Sequence, residues 1–194
     1  MSCVITSYRY RDLLGDSIRL VRLLPHEDEN APIQCHLFDY SLRESAKRTD
    51  AYDALSYVWG RKDNLQFISI GKHYLRVTEN LYKALLHFRY RSVERIIWVD
   101  ALCINQENDK EKEQQIQLMA KIYGLANRVV VWLGEALDDS DRALEEIRVA
   151  GGKKSTNSSN NKTIQKAVLA LLQRPWFRRI WVREQTPNNI CRNY

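Results

Sequence analysis

A chain of 194 residues that is 44% hydrophobic and 28% charged can bury a core without disulfides or metal, and its composition is globular rather than disordered. The four cysteines, Cys3, Cys35, Cys103 and Cys191, are scattered, with no CxxC pair and no ligand spacing to His26, His36, His73 or His87, so the chain reads as a reduced, cytoplasmic protein with no metal site. The net charge of +6 comes from arginines interleaved with acids, without a nucleic-acid motif, a membrane-length apolar run or a signal-peptide core between Met1 and Arg11; nucleic acid and membrane spans are therefore not expected.

Residues 18–24, IRLVRLL, alternate as a strand does, and the charged turn Pro25 to Pro32 leads to a second strand around Ile33 to Phe38. Together these read as an N-terminal β-ribbon. The polar stretch Ser41 to Asp50 reads as a loop. Tyr52 to Trp59 is a strand ending at Gly60, and Phe67 to Leu75 reads as a hairpin turning at Gly71. Thr78 is placed to cap a helix whose Leu81, Ala84, Leu85 and Phe88 share one face.

The segment from Val93 to Glu135 carries a strand, a polar turn, an amphipathic helix and a second strand. Ile96 to Val99 and Val129 to Leu133 are unbroken apolar runs of strand length, as a parallel sheet covered on both faces requires. Between them Ile116, Met119, Ile122, Tyr123 and Ala126 recur at helical spacing, so Ile116 and Trp98 are expected in the core. Asn108 followed by Glu111 has the pattern of a reciprocal capping pair. Asp100, Cys103, Asn105 and Gln106 then follow the carboxyl end of one strand, and Ser56, Tyr57, Trp59 and Gly60 that of another. Ligands of open α/β sheets bind at this edge, which places Ser56, Tyr57, Trp59 and Asp100 in one cleft. Each has a plainer reading. The aromatics fill a strand end, Asp100 caps a turn rather than binding a ribose hydroxyl, and Asn105 and Gln106 serve turn or ligand equally. Cys103 has no base beside it in sequence and reads as a small core residue.

Asp141 to Val149 reads as a helix, and Gly151 to Lys162 as a mobile low-complexity loop. Thr163 is placed to cap a last helix running through Leu172, which Pro175 stops. The chain divides as a single domain over 1–194, with 1–50 a β extension, 51–185 an α/β core and 186–194 a polar, truncated-looking tail.

Three motifs in order, YDALSYVWG from Tyr52, IIWVDALCINQENDKEKEQQIQLMAKIYGLANRVVVWLGE from Ile96 and RPWFRRIWVRE from Arg174, resemble the heterokaryon incompatibility (HET) domain of fungal proteins. IRLVRLLP is similar to that family's lead-in strand, so the resemblance covers about Ile18 to Gln185. It implies a part in fungal non-self recognition (allorecognition) and programmed cell death. HET domains are in turn similar to TIR domains: Ala54 to Tyr57 resembles their first strand, IIWVD their second with its terminal aspartate, and Val129 to Leu133 their third. The fold so implied is α/β, a TIR-like (flavodoxin-like) parallel sheet flanked by helices, with the N-terminal β-ribbon as an extension.

Many TIR domains cleave NAD with a glutamate four residues after a tryptophan. The matching tryptophan is Trp181; Gln185 stands four residues on and Glu184 three. Neutral Gln185 cannot stabilise an oxocarbenium-like centre. Two expectations follow. In one, Glu184 is catalytic and Ser56, Tyr57, Trp59, Gly60, Asp100, Asn105, Gln106 and Trp181 hold NAD as a substrate, with no cofactor required. In the other, Glu184 is a surface carboxylate paired with Arg179 or Arg183, and the domain is a non-catalytic module that self-associates or docks a signalling partner.

Overall fold

A computed structural model describes residues 6–42, 52–136, 140–152 and 162–178. These fall into two compact units, one holding the described residues up to Trp132 and the other those from Leu133 onward.

The first unit is built on an eight-stranded mixed sheet, ordered β1-β6-β5-β3-β2-β7-β4-β8. Its strands are β1 (Thr6–Ser7), β2 (Ser17–Leu23), β3 (Gln34–Ser41), β4 (Asp53–Tyr57), β5 (Leu65–Ile70), β6 (His73–Thr78), β7 (Arg95–Trp98) and β8 (Arg128–Trp132). β7, β4 and β8 lie side by side and parallel, as the apolar runs of β7 and β8 lead one to expect. The N-terminal ribbon extends this group: β2 pairs antiparallel with β7 on one side and with β3 on the other. The β5–β6 hairpin continues the sheet beyond β3, turning at Gly71 with φ 59°. The charged turn between β2 and β3 is gathered by one side chain, the guanidinium of Arg89, which donates to the carbonyls of Asp28, Glu29, Ala31 and Pro32.

Helix α1 (Glu79–Phe88) buries Leu81, Ala84, Leu85 and Phe88, the face its periodicity predicts, and Thr78 Oγ1 accepts from Leu81 N–H. A short α2 (Asp100–Cys103) leaves β7, and α3 (Asp109–Leu125) follows. Tyr52 Oη donates to Ile122 O at 2.6 Å, and Tyr123 Oη to Leu55 O at 3.3 Å, fastening α3 to β4. Two expectations about α3 need correction. Ile116 is 49% exposed, because the buried face runs through Glu111, Gln115 and Ile122 instead. Asn108 does accept from Glu111 N–H at 3.2 Å, but the Glu111 carboxylate does not return the cap. It turns inward to the guanidinium of buried Arg19, at 2.5 and 3.0 Å. The first half of the helix thus has a polar core face, on which the Glu111 carboxylate is paired and Gln115 Nε2 donates to Ser17 O while Gln115 Oε1 is buried without a partner among the described residues.

At the amino ends of the parallel strands, Asp53 is buried and bridges Arg95 of β7 at 2.9 Å and Arg128 of β8 at 3.1 Å. Three strands are held in register by that one carboxylate, which fixes where their opposite ends emerge.

In the second unit α4 (Ser140–Gly152) meets α5 (Lys162–Leu172) through Ala143, Ala167 and Leu171, with Leu133, Leu144 and Val168 packed around them. Gly151 and Gly152 belong to α4 rather than to a loop, and 153–161 lie outside the described residues. α5 begins at Lys162, so Thr163 lies inside its first turn rather than at the cap. It ends at Leu172 ahead of Pro175, which opens a single 3-10 turn carrying buried Trp176. Among the described residues no helix is long and apolar enough to cross a membrane.

Candidate functional site

Because β7, β4 and β8 are parallel, their carboxyl ends share one edge of the sheet. A tryptophan stands at each exit: Trp98 closes β7, Trp132 closes β8, and Trp59 comes two residues after β4. Their surroundings differ. Trp98 is fully buried, edge-on to Tyr123 with ring centroids 5.4 Å apart. Trp59 and Trp132 lie at the rim and use their indole N–H groups to tie the exits together.

Trp59 Nε1 donates to Asp100 Oδ2 at 2.9 Å, joining the exit of β4 to that of β7. The other oxygen, Asp100 Oδ1, accepts from Ala101 N–H at 2.7 Å. Asp100 therefore anchors the turn, the plainer of its two readings, and also meets the aromatic residue with which it was expected to share a cleft. Ser56 and Tyr57 are buried, as is all of β4. They lie beneath the rim rather than on it. Asn105 and Gln106 are occupied with the turn: Asn105 Oδ1 accepts from Glu107 N–H at 3.1 Å, and Gln106 Nε2 donates to Asp100 O at 3.0 Å. Cys103 is fully buried with its Sγ accepting from Val99 N–H, and burial pushes its thiol pKa far up, so it is no nucleophile. Trp181, Glu184 and Gln185 lie outside the described residues.

Asn80, in the first turn of α1, is a rim residue that sequence reasoning missed. Its Nδ2 donates to Val58 O at 2.5 Å, and its Oδ1 accepts from Trp132 Nε1 at 2.9 Å. The His87 ring lies 4.7 Å from that of Trp132, two turns along the same face of α1 as Asn80. Gly60, with φ 75°, passes so close to this amide that an added Cβ would meet Asn80 Cβ at 3.1 Å. Glycine is required there for both reasons. Lys62 sits 5.9 Å above the Trp59 ring. A tryptophan at the end of each parallel strand was the available signal for this rim. The Asn80 contact had none, since it joins residues 52 apart.

The rim presents indole surface, a carboxylate held by two donors, and an ammonium group over an aromatic face. Such a set can stack a flat heterocycle and accept from a sugar hydroxyl. Among the described residues no group of three or more His, Cys, Asp or Glu is placed to hold a metal ion.

The family described as heterokaryon incompatibility protein (HET) matches residues 52–184. The chain is similar to "heterokaryon incompatibility protein 6, OR allele" of Neurospora crassa, 35% identical over 147 residues, a match covering 69% of this chain and 21% of that protein. The chain thus spans well under two thirds of that relative's length. No solved structure matches.

Proposed function

The chain belongs to the heterokaryon incompatibility (HET) family, and from that premise we propose that it serves fungal incompatibility and cell-death signalling in the cytoplasm by binding a nucleotide such as NAD on the rim of β7, β4 and β8. The observation that carries the reading is the 2.9 Å bond from Trp59 Nε1 to Asp100 Oδ2. It brings two sequence motifs to the one sheet edge where α/β proteins hold ligands. In this reading Trp59 stacks the base or the nicotinamide ring and Asp100 accepts from a ribose hydroxyl, while Gly60 lets the backbone approach the ligand.

Cleavage of the nicotinamide bond needs little more than orientation and charge stabilisation of the ribosyl oxocarbenium ion that forms as neutral nicotinamide departs, with water then capturing that ion. Glu184, beside Trp181, is the carboxylate assigned to that step. A second reading, a non-catalytic module that self-associates or docks a signalling protein, is favoured by Gln185 at the position where the TIR resemblance expects the acid.

The test has two layers. Titration of the chain with NAD, followed by tryptophan fluorescence, is expected to saturate, and Trp59→Ala or Asp100→Asn to weaken it about tenfold, or 1.4 kcal/mol. Chromatography of released nicotinamide then separates the readings. Turnover lost in Glu184→Gln and raised in Gln185→Glu supports the enzyme; saturable binding without turnover in any variant supports the signalling module. Absence of saturation in the folded chain removes the nucleotide reading altogether.

A further inference from the structure

One feature the rim does not explain is a cavity on the other half of the sheet. It has a volume of about 770 Å3 and shares no residue with the rim described above. One wall is Thr6 to Arg9 together with Arg11, the opposite wall is Leu37 to Asp39 of β3, and Arg19 and His73 complete the lining. That size suits a small-molecule ligand, for which a few hundred to about a thousand cubic ångströms is usual.

The wall that carries Arg9 and Arg11 is fixed at several points. Tyr8 N–H donates to Tyr74 O at 2.8 Å, Thr6 Oγ1 and His73 Nδ1 lie 2.9 Å apart, and Tyr10 Oη donates to Leu102 O at 3.1 Å. Arg11 O in turn accepts from Arg19 Nη2. The backbone is therefore set before any ligand arrives, which lowers the entropic cost of binding.

The charges are arranged unevenly. Arg19 is matched by Glu111, a residue outside the cavity. Arg9 and Arg11 are exposed, line the cavity, and enter no ion pair among the described residues. They lie two residues apart on one wall of the cavity, and two neighbouring guanidinium forks can share one phosphate or adjacent phosphates. The hydroxyls of Thr6 and Ser7 add donors on that wall, and Tyr8, whose pKa burial raises, adds a neutral phenol. Asp39 alone offers a carboxylate, and Tyr8 supplies aromatic surface, whereas the Phe38 ring lies on the other face of β3 beneath Arg22. Cationic donors thus dominate, with a single carboxylate and the Tyr8 ring, which matches an anionic, phosphate-bearing compound better than a cation.

We propose that this cavity binds a phosphate-bearing small molecule, with the phosphate held by Arg9 and Arg11. Its occupancy is independent of the rim reading, since the two share no side chain.

The test is calorimetric titration of the 194-residue chain with inorganic pyrophosphate and, separately, with ADP. At least one probe is expected to bind, and the Arg9→Gln/Arg11→Gln double variant to weaken it about tenfold or more. The control double variant Arg76→Gln/Arg91→Gln removes equal charge elsewhere and is expected to stay within about twofold of the parent. Equal affinity for both probes assigns recognition to the phosphates alone; tighter ADP adds Tyr8 as a reader of a nucleoside. Arg9→Lys/Arg11→Lys, which keeps the charge but loses the fork, is expected to recover only part of the loss. The proposal is overturned if neither probe binds a chain whose thermal transition is intact, if the double variant binds as well as the parent, or if both double variants weaken binding equally.

Discussion

Arg19 and Glu111, 92 residues apart, form a two-pronged ion pair at 2.5 and 3.0 Å in the interior, joining β2 to the first turn of α3. Both groups make further bonds. Arg19 also donates to Cys103 O and Arg11 O, and Glu111 also accepts from Asn105 N–H. A pair so completely satisfied is close to neutral as a unit and costly to halve.

Glu111→Gln is therefore expected to destabilise the chain by about 3 to 5 kcal/mol, read from urea denaturation, because the guanidinium stays buried without its counter-charge. Replacing both partners, as Arg19→Met/Glu111→Leu, is expected to recover most of that loss. A double variant no better than the single one would mean that the carbonyl contacts of Arg19, rather than its charge pairing, set the cost.

The buried face of α3 makes a paired prediction. Ile122→Ala empties a fully buried site and is expected to cost about 2 to 5 kcal/mol, whereas Ile116→Ala, at a position 49% exposed, is expected to cost under about 1 kcal/mol. Reversal of that order in denaturation midpoints would return the helix to the face its hydrophobic spacing predicts.

Gly60 and Gly15 both have positive φ, 75° and 56°, but an added Cβ at Gly60 meets Asn80 Cβ at 3.1 Å while at Gly15 it meets nothing within 4 Å. Gly60→Ala is accordingly expected to lower stability by about 1 to 3 kcal/mol and Gly15→Ala by about 1 kcal/mol. Equal shifts in melting temperature would leave the close approach of Asn80 without consequence.

Burial raises the Cys35 thiol from an ordinary 9.0 to about 12, and raises Cys103, Tyr10 and Tyr52 as well. The folded state prefers the neutral form of each, so their contribution is complete below pH 9.0 and falls as the pH climbs towards about 12, where unfolded thiols have already lost their protons. Melting temperature is expected to fall steadily over that interval. At pH 8, iodoacetamide is expected to leave Cys35 and Cys103 unlabelled until denaturant is added, with mass spectrometry reading the sites.

The sequence made α1 and the strands β4, β7 and β8 legible because their signals are local: Thr78 stands directly before an apolar stripe, β7 and β8 are centred on apolar runs, and β4 ends in the aromatic stretch that stops at Gly60. The polar face of α3 was hidden, since Glu111 and Gln115 are buried only because Arg19 and the Ser17 carbonyl wait for them in β2. Nor does IRLVRLL reveal which arginine lies inside. β2 is covered on both faces, so Arg19 is buried and Arg22 is not. At the rim the strand-end tryptophans could be read, but the depth of Ser56 and Tyr57 and the bridging role of Asn80 arise from packing between segments far apart in the chain.

Asn80 grips the main chain leaving β4 with one end of its amide and the ring closing β8 with the other. The amide is planar and has no slack, so the two exits cannot be displaced separately. Anything that levers Trp59 outward pulls on the Val58 carbonyl, then on the amide, then on the Trp132 ring against which His87 lies. An event at one end of the rim is thereby transmitted to an exposed histidine in the last turn of α1, where it can be read from outside the molecule.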